Sequence, residues 1–600
     1  MAPEMSAMRT GNTPWYNLTS AAAGIVLLLA ASIQASATPN KAAVASAHPA
    51  ATQAGQTILQ RGGNAFDAAV AVSAALAVVE PQSSGLGGGG FWLLHQNESG
   101  RNIMIDGREE APAAATPRMY QNADGEIKKR ASRDGGLAAG IPGEPAALVH
   151  LAQNYGQLSL AEDLAPAIEL AQNGVPVNAD MHHLANFRKD LLKRYPASAD
   201  KILTKAGEPL PVGTSLVQPQ LAETLQSLAQ DGKAGFYDGP VAAKLVAGNR
   251  SAGGIWTRKD LSDYSVVERE PMSGQYKTPA GQFKVVSAGP PSAGGIELLE
   301  TLNILSGYQW SKLDRTHRVH LAAEAMRRAY RDRAAYLGDA DFVDMPLAKL
   351  TDPHYAAGLR ASITKDQATP SDALAPVTSA YRRQRGTDTT HFSIVDSAGN
   401  RVAATLSINF PFGSGVVAPG TGVFLNDEMD DFAAKPLTPN GYGLVSTRAN
   451  QVEPGKRPLS SMSPTFVTGP EKTLIVGTPG GSRIISMVLL GILDFTHGGN
   501  AQDVVQHGRY HHQYLPDAIQ YEPGALSPKV RHQLEAMGHS FKKVDHHYGD
   551  MHAIVVNHDN GQLNAASDPR GIGCAAVGTG GHSCALGDAI DADNRNAETH

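Results

Sequence analysis

Short apolar runs that fit β-strands occur in both halves of the chain, and helical patterns separate them. In the first half, such runs span residues 91–95, 103–106 and 283–287. In the second half, residues 391–396 and 401–409 flank the turn sequence Ser-Ala-Gly-Asn, which is typical of a β-hairpin. A sheet must bury its apolar face against another layer. The alternation therefore predicts an α+β fold in which helices cover sheets.

The helical patterns have clear ends in several places. Residues 50–61 fit a helix that stops at a Gly-Gly pair, and Asn64 fits the N-cap of an alanine-rich helix that continues to about residue 79. Residues 317–336 fit a long helix rich in alanine and arginine. The polar residues 364–388 carry little periodicity, so we expect that segment to be exposed and open to cleavage.

The N-terminus has the features of a secretory signal peptide. Arg9 lies in a short polar region, and the apolar run at residues 21–31 is shorter than the roughly 20 residues that span a membrane. Ala35-Ser36-Ala37 is a small-x-small cleavage pattern. We predict a signal peptide over residues 1–37, a mature chain from Thr38 in the periplasm or outside the cell, and no membrane association after cleavage. A retained membrane anchor is the alternative.

Composition excludes several classes of protein. The chain has 51 Lys and Arg residues against 57 Asp and Glu residues, a net charge of −6, so it lacks the basic field that binds nucleic acid. Its two cysteines, Cys574 and Cys584, are too few for a disulfide-dense scaffold or a four-cysteine zinc module. In an oxidising compartment they either pair or remain free thiols in a glycine-rich tail. We expect no nucleic-acid partner.

Two patterns resemble cofactor sites without meeting their requirements. Residues 85–90 satisfy the spacing G-x-G-x-x-G, but a dinucleotide site needs a strand before it and a helix after it. Here a helical pattern precedes the glycines and a strand pattern follows. The histidines at 511–512 and between 546 and 558 have no H-E-x-x-H spacing and no cysteine partner. We therefore predict no cofactor and no catalytic metal.

A threonine at the start of a predicted strand offers a different chemistry. The sequence GTDTTH at residues 386–391 joins the polar segment to that strand. Cleavage before Thr389 would give this residue both a hydroxyl and a free α-amine, whose reference pKa is about 7.7–8.0. Such an amine accepts the hydroxyl proton near neutral pH, which makes the threonine a nucleophile. A threonine-rich strand start without chemistry is the alternative interpretation.

Four further segments carry groups that suit a zwitterionic ligand beside a nucleophile. Adjacent hydroxyls lie within residues 457–465, at the mouth of a predicted strand. Paired glycines precede a helix within residues 477–484, where backbone amides suit an oxyanion. The acidic residues 426–432 suit an ammonium group, and Arg108 ends a strand with a side chain suited to a carboxylate.

Five of these segments, taken together, resemble the γ-glutamyltranspeptidases, a family of N-terminal-nucleophile hydrolases. The segments are DGREEAP (106–112), TTHFSIVD (389–396), NDEMDDF (426–432), RPLSSMSPT (457–465) and GTPGGSRI (477–484). Each motif alone has low specificity, but all five in this order and at these spacings make a chance match improbable. The resemblance covers roughly residues 42 to 570 and implies a four-layer αββα sandwich.

The resemblance also implies that the precursor cleaves itself between Asp388 and Thr389. The products would be a large subunit, residues 38–388, and a small subunit, residues 389–600. Residues 571–600 would be an extra C-terminal tail beyond the family core. Thr389 would then attack a γ-glutamyl carbonyl to form an acyl-enzyme, which water, an amino acid or a short peptide would resolve.

Several positions match the family's groups that contact the acyl carbonyl and the α-carboxylate. By this resemblance, Gly480 and Gly481 supply the oxyanion-hole amides. Arg108, Ser460 and Ser461 hold the α-carboxylate of the glutamyl group. These assignments follow from the match of the motifs to the family.

Other positions match groups that hold the α-amine or support the nucleophile. Asn409, Glu428 and Asp431 correspond to the residues that bind the α-amino group. Ser407 lies where the family usually has a threonine that supports the nucleophile, so the hydroxyl is kept and the methyl is lost. Tyr442 corresponds to a gate within a lid segment that extends over the site.

The function implied is that of a periplasmic γ-glutamyltransferase and glutathione hydrolase. Its substrates would be glutathione and other γ-glutamyl compounds, with amino-acid or peptide acceptors. The alternatives are a glutaryl or cephalosporin acylase of the same family, a polyglutamate-cleaving relative, and a periplasmic binding protein that never matures. Glu428, Asp431 and the serine pair favour an α-amino-acid substrate, because a glutaryl group has no amine for the acidic residues to bind.

Overall fold

Two antiparallel sheets lie face to face in the part of the chain that this computed structural model describes, residues 37–374 and 389–578. In chain order the strands are β1 (Ala43–Ser46), β2 (Gly89–Gln96), β3 (Arg101–Gly107), β4 (Val175–Pro176), β5 (Ser215–Leu216), β6 (Val267–Arg269), β7 (Met272–Thr278), β8 (Gly281–Ser287), β9 (Thr390–Val395), β10 (Arg401–Ser407), β11 (Thr465–Thr468), β12 (Lys472–Gly477), β13 (Tyr510–His511), β14 (Ile519–Tyr521), β15 (Phe541–Lys543), β16 (His552–Asn557), β17 (Leu563–Ser567) and β18 (Cys574–Val577). The first sheet has the order β18-β1-β9-β10-β2-β3-β6, and the second has the order β17-β16-β12-β11-β8-β7. Strands β13 to β15 form a small third sheet, and β4 pairs with β5.

Helices flank both sheets. The α-helices are α1 (Pro49–Gln60), α2 (Ala65–Val79), α3 (Glu144–Asn154), α4 (Leu160–Asn173), α5 (Ala179–Leu192), α6 (Pro196–Ile202), α7 (Pro219–Asp231), α8 (Lys233–Tyr237), α9 (Gly239–Ser251), α10 (Arg258–Asp263), α11 (Gly294–Leu305), α12 (Arg315–Tyr336), α13 (Leu347–Leu350), α14 (Pro353–Ala361), α15 (Ile484–Phe495), α16 (Ala501–Gln506) and α17 (Pro528–Ala536). Short 3-10 helices span Gly136–Ala138, Trp310–Lys312, Ser371–Ala373, Glu428–Asp431, Arg448–Asn450 and Gly481–Arg483. None of the helices in the described ranges is both long enough and apolar enough to cross a bilayer.

Alternate side chains along each central strand face opposite layers, so both faces of both sheets are buried. In β10, Val402 and Ala404 join an apolar cluster with helices α1 to α10, whereas Ala403 joins the cluster between the sheets. In β12, Leu474 packs with helices α11 to α17, and Ile475 faces the other sheet. This two-residue alternation is the geometry of a pleated strand. The result is a four-layer αββα sandwich, which confirms the α+β prediction.

The predicted element ends agree with the structure where capping chemistry is strong. Asn64 caps α2: its side chain accepts hydrogen bonds from the Phe66 and Asp67 amides, and the Asp67 carboxylate accepts one from the Asn64 amide. This reciprocal capping box satisfies donors that would otherwise be unpaired at the helix start. The predicted hairpin is also present, as β9 and β10 at the centre of the first sheet.

Two segments without a clear sequence pattern contain residues that are held by distant partners. Within the described part of the polar segment 364–388, Ser371 is buried: its amide donates to Asp517 Oδ2 (2.7 Å) and its hydroxyl to the Tyr514 carbonyl (2.7 Å). The tail predicted over residues 571–600 includes β18, which pairs with β1 at the edge of the first sheet. Most residues of 364–374 are exposed, as expected, so Ser371 is a local exception, whereas β18 is ordered by its distant strand partner β1.

Some predictions fall outside the described ranges. These concern the signal peptide, of which residues 1–36 are not described, Asp388 at the predicted cleavage point, and Cys584. Cys574, in β18, is disulfide-bonded.

Glycines at the start of β2 allow backbone segments to approach closely. A Cβ atom on Gly88 would lie 2.1 Å from the Ser407 carbonyl oxygen, and one on Gly89 would lie 2.3 Å from that of Gly107. These glycines belong to the G-x-G-x-x-G run, which lies after α2 and leads into β2, as predicted. Their absent side chains bring the ends of β2, β3 and β10 together.

We expect Gly88→Ala to destabilise the fold, because its methyl group would overlap a backbone carbonyl that cannot move alone. The loss should reach about 1–3 kcal/mol or more, the usual cost of overpacking. Gly358→Ala is the matched control: it lies in α14 with nothing within 4 Å of the added atom, and alanine is the better helix former. Thermal unfolding of both variants measures the difference. Equal midpoints would contradict the steric role of Gly88.

Candidate active site

The ends of β3, β10 and β12 and the start of β9 meet at one cavity of about 20 Å³. It brings together predicted residues from seven separate segments of the sequence. Those that line it are Arg108, Thr389, Ser407, Asn409, Glu428, Asp431, Tyr442, Ser460, Ser461 and Gly481. Sequence reasoning missed the remaining lining residues, which are Leu444, Met462, Ser482 and Ile484. Gly480 immediately precedes the lining residue Gly481.

Thr389 lies directly before β9, and its hydroxyl faces the end of β10. Its Oγ1 is 3.2 Å from Ser407 Oγ. Ser407 Oγ also accepts a hydrogen bond from the Asn409 amide at 2.8 Å. Asn409 has a φ of 75°, a left-handed conformation that asparagine tolerates better than most residues. The serine therefore makes the contact expected of the usual threonine without its methyl group.

A buried carboxyl group supports the residue after Thr389. Thr390 Oγ1 donates to Glu80 Oε2 at 2.9 Å, at the C-terminal end of α2. Burial, together with the charge of Asp550, raises the pKa of Glu80 to about 8. Nothing in the local sequence around Glu80 distinguishes it from an ordinary helix-end glutamate, so sequence reasoning missed it.

Arg108 forms the electrostatic centre of the cavity. Its Nη1 is 2.5 Å from Glu428 Oε2, its Nη2 is 2.5 Å from Asp431 Oδ2, and its Nε donates to the Pro458 carbonyl at 3.1 Å. Burial lowers the pKa of the Arg108 guanidinium, but the neighbouring carboxylates outweigh that effect and raise it above its ordinary value. In this structure, the groups predicted to bind an α-carboxylate and an α-amine neutralise each other.

Glu109 adds a further buried carboxyl group that sequence reasoning did not assign. Its Oε2 is 3.5 Å from Arg108 Nη1, and its side chain is fully buried. Burial raises the pKa of Glu109 well above its ordinary value, and the charge of Glu428 raises it further. The sequence feature that could have identified Glu109 is its position next to Arg108 in the motif at residues 106–112.

The paired glycines occupy conformations that few other residues adopt. Gly480 has a φ of 140° and Gly481 a φ of 56°. A Cβ atom on Gly481 would lie 2.4 Å from the Tyr442 ring. The short 3-10 helix and α15 follow directly, so the positive end of a helix dipole faces the cavity where Gly481 and Ile484 line it. This arrangement suits a developing oxyanion.

Tyr442 lies over the cavity and is tied to both of its sides. Its ring stacks on Phe410 with centroids 4.8 Å apart, and its hydroxyl donates to the Asn409 carbonyl at 3.1 Å. The preceding residue, Gly441, donates its amide to Asp430 Oδ2 at 2.7 Å. The segment predicted as a lid is therefore held in place by ring stacking and by backbone hydrogen bonds.

In the described ranges, the residues that come nearest to a metal-ligand arrangement are His320, Glu324 and His539. The sequence did not predict a metal site there. The two histidine rings are hydrogen-bonded to each other at 2.8 Å. Glu324 is paired with Arg327 at 3.2 Å and with Arg328 at 2.7 Å. Two arginines already neutralise the carboxylate and repel cations, so these residues suit an internal hydrogen-bond network better than a metal ion.

The chain is similar over most of its length to proteins of one family. A family model described as "Gamma-glutamyltranspeptidase" matches residues 51–578. The glutathione hydrolase proenzyme of Pseudomonas sp. (strain A14) is 45% identical over 83% of this chain and 86% of that protein. The glutathione hydrolase proenzyme of Escherichia coli (strain K12) is 42% identical over 88% of this chain and 90% of that protein. The crystal structure of a cephalosporin acylase from Bacillus halodurans has a TM-score of 0.77 at 27% identity, covering 95% of this chain and 99% of that one. The chain belongs to the γ-glutamyltranspeptidase family.

Proposed function

We propose that this enzyme is a γ-glutamyltransferase and glutathione hydrolase that uses Thr389 as its nucleophile. One observation carries the proposal: the Thr389 hydroxyl contacts Ser407 in the same cavity that holds Arg108 with its paired carboxylates. A nucleophile and a set of charges suited to an amino-acid head group thus share one site. The family membership supports the same chemistry.

The reaction begins once the chain has been cut before Thr389. The new α-amine accepts the hydroxyl proton as Thr389 Oγ1 attacks the γ-glutamyl carbonyl carbon. The amides of Gly480 and Gly481 stabilise the oxyanion of the tetrahedral intermediate. Collapse of that intermediate expels the rest of the donor as an amine, which takes up the transferred proton. Water or an acceptor amine then attacks the resulting ester and releases Thr389.

The donor's head group enters by exchanging ion pairs with the cavity. Its α-ammonium binds the carboxylates of Glu428 and Asp431 and the side chain of Asn409. Its α-carboxylate takes Arg108 and the hydroxyls of Ser460 and Ser461. Each buried charge keeps a partner throughout, which avoids the large cost of an unpaired ion in the interior. Tyr442 closes over the bound donor as a gate.

Maturation gives a large subunit of residues 38–388 and a small subunit of residues 389–600, after loss of a signal peptide over residues 1–37. The mature enzyme then acts in the periplasm or outside the cell, on glutathione and other γ-glutamyl compounds with amino acids or short peptides as acceptors. Two features near the N-terminus support this location: the short apolar run and the small-x-small cleavage pattern that follows it.

The second candidate function is that of an acylase for glutaryl or cephalosporin side chains. The fold similarity to a cephalosporin acylase favours it. The buried pair of Glu428 and Asp431 argues against it, since a donor without an α-amine leaves both carboxylates to Arg108 alone.

We expect Thr389→Ala to give one uncleaved chain with no activity, because cleavage and acyl transfer both need the hydroxyl. Denaturing gel electrophoresis of the purified protein measures the first and hydrolysis of a γ-glutamyl anilide the second. Thr390→Ser is the matched control: it keeps the neighbouring hydroxyl and should still be cleaved. The N-terminus of the small subunit should read TTHFS. A start at Thr390 would move the nucleophile by one residue, and two bands from Thr389→Ala would exclude Thr389.

We expect Asp431→Asn to narrow the preference for γ-glutamyl over glutaryl anilide, two substrates that differ only by the α-amine. Loss of the carboxylate removes a charged partner of the ammonium, at a cost of about 1.5–3 kcal/mol for the glutamyl substrate alone. The control is Asp430→Asn: this neighbouring carboxylate accepts from Ser132 and Gly441 and does not line the cavity, so both substrates should change alike. A wild type that prefers glutaryl anilide would establish the acylase instead.

A further inference from the structure

Helix α12 passes behind the cavity and contacts two of its walls without lining it. Arg333, which is 3% exposed, donates from Nη2 to Ser461 Oγ at 3.3 Å. Its Nε is 3.1 Å from Glu297 Oε1 on α11. One turn earlier, the Tyr330 hydroxyl donates to the Ser482 carbonyl at 2.6 Å. The helix thus supports both the serine pair and the loop after β12.

These contacts determine what the two serine hydroxyls can offer to a ligand. Ser460 Oγ accepts a hydrogen bond from the Met462 amide at 3.1 Å, and Ser461 Oγ accepts one from Arg333. Within residues 37–374 and 389–578, neither hydroxyl donates to another protein group. A hydroxyl has one proton to donate and can accept through its lone pairs. Each accepted bond therefore leaves the hydroxyl proton for the cavity, which both serines line.

The charge of Arg333 matters because Arg108 is already occupied. Arg108 is already paired with Glu428 and Asp431 at 2.5 Å, so it can bind an incoming carboxylate only by exchanging those partners. Burial raises the pKa of Glu297 to about 8, with Arg333 opposing that rise, so Glu297 offsets the charge of Arg333 less than an exposed carboxylate would. A charged donor also makes a stronger hydrogen bond than a neutral one.

We propose that Arg333 is a positioning residue for the α-carboxylate of the donor. It acts through Ser461, whose hydroxyl proton it directs into the cavity, and its charge attracts the carboxylate from behind the serine pair. The inference rests on the proposed function, because it assumes a donor with an α-carboxylate. It assigns to the large-subunit helix α12 a part in donor recognition that no cavity-lining residue reveals.

The test uses two anilides that differ only by the α-carboxylate: γ-glutamyl anilide, and 4-aminobutyryl anilide, which lacks it. The full-length protein is produced as wild type, Arg333→Met and Arg333→Lys, with Arg331→Met as the matched control on the same helix. We expect Arg333→Met to lower kcat/KM for γ-glutamyl anilide by about tenfold or more, mainly through KM. The other anilide should change little, and Arg331→Met should alter neither ratio.

A double-mutant cycle with Ser461→Ala separates positioning from general support. If Arg333 acts through Ser461, its removal has a much smaller effect once the hydroxyl is gone. Equal losses for both anilides, or additive effects in the cycle, would overturn the inference. Arg333→Lys keeps the charge without the planar fork and is the variant to use if Arg333→Met does not mature. We expect Arg333→Lys to raise KM for γ-glutamyl anilide selectively. A loss of activity shared by both anilides would contradict the proposal.

The activities of the wild type distinguish a failure of the proposed function from a failure of the role of Arg333. If it cleaves neither anilide, the proposed function fails and the role of Arg333 fails with it. If it cleaves γ-glutamyl anilide while the Arg333 variants keep its preference for the α-carboxylate, only the role of Arg333 is refuted.

Discussion

A buried arginine between two carboxylates organises the region on which the proposed chemistry depends. Arg108 follows β3, whereas Glu428 and Asp431 lie on a 3-10 helix more than 300 residues further along the chain. Taking such charges out of water is costly unless each one finds a partner. The folded chain can bury Arg108 only by bringing these distant segments together, and the same contact closes the cavity beside Thr389. A zwitterionic ligand fits there because it replaces one set of ion pairs with another.

Local sequence patterns were sufficient for the strands and helices that form the core. The hairpin of β9 and β10 and the capped helix α2 follow from alternation and capping chemistry within a few residues. The five motifs also identified the segments that meet at the cavity. What they could not provide was the present pairing of Arg108 with the acidic residues, since pairing partners depend on how loops from separate strands approach in space.

The residues that sequence reasoning missed share one property. Glu80, Glu109 and Arg333 are buried charged or titratable groups whose partners lie outside their own segment or depend on burial. In the sequence each appears as an ordinary polar residue at a helix or strand end. The same limit explains β18, whose four residues carry no strand pattern of their own and are ordered by pairing with β1. Long-range contacts decide these cases, and a local pattern does not contain them.

The strand order of the first sheet has a consequence for the proposed cleaved form. From one edge to the other, β18 lies after the cut, β1 before it, β9 and β10 after it and β2 before it, so strands of the two products would be interleaved. Neither product would contain the whole of either large sheet. The uncut precursor would then be the unit that carries the information for folding, and the proposed mature form would be an interwoven dimer made from one gene product. Once unfolded, the two incomplete chains would have to meet again before they could refold. The lifetime of the mature form would therefore depend more on a slow rate of unfolding than on a reversible folding equilibrium.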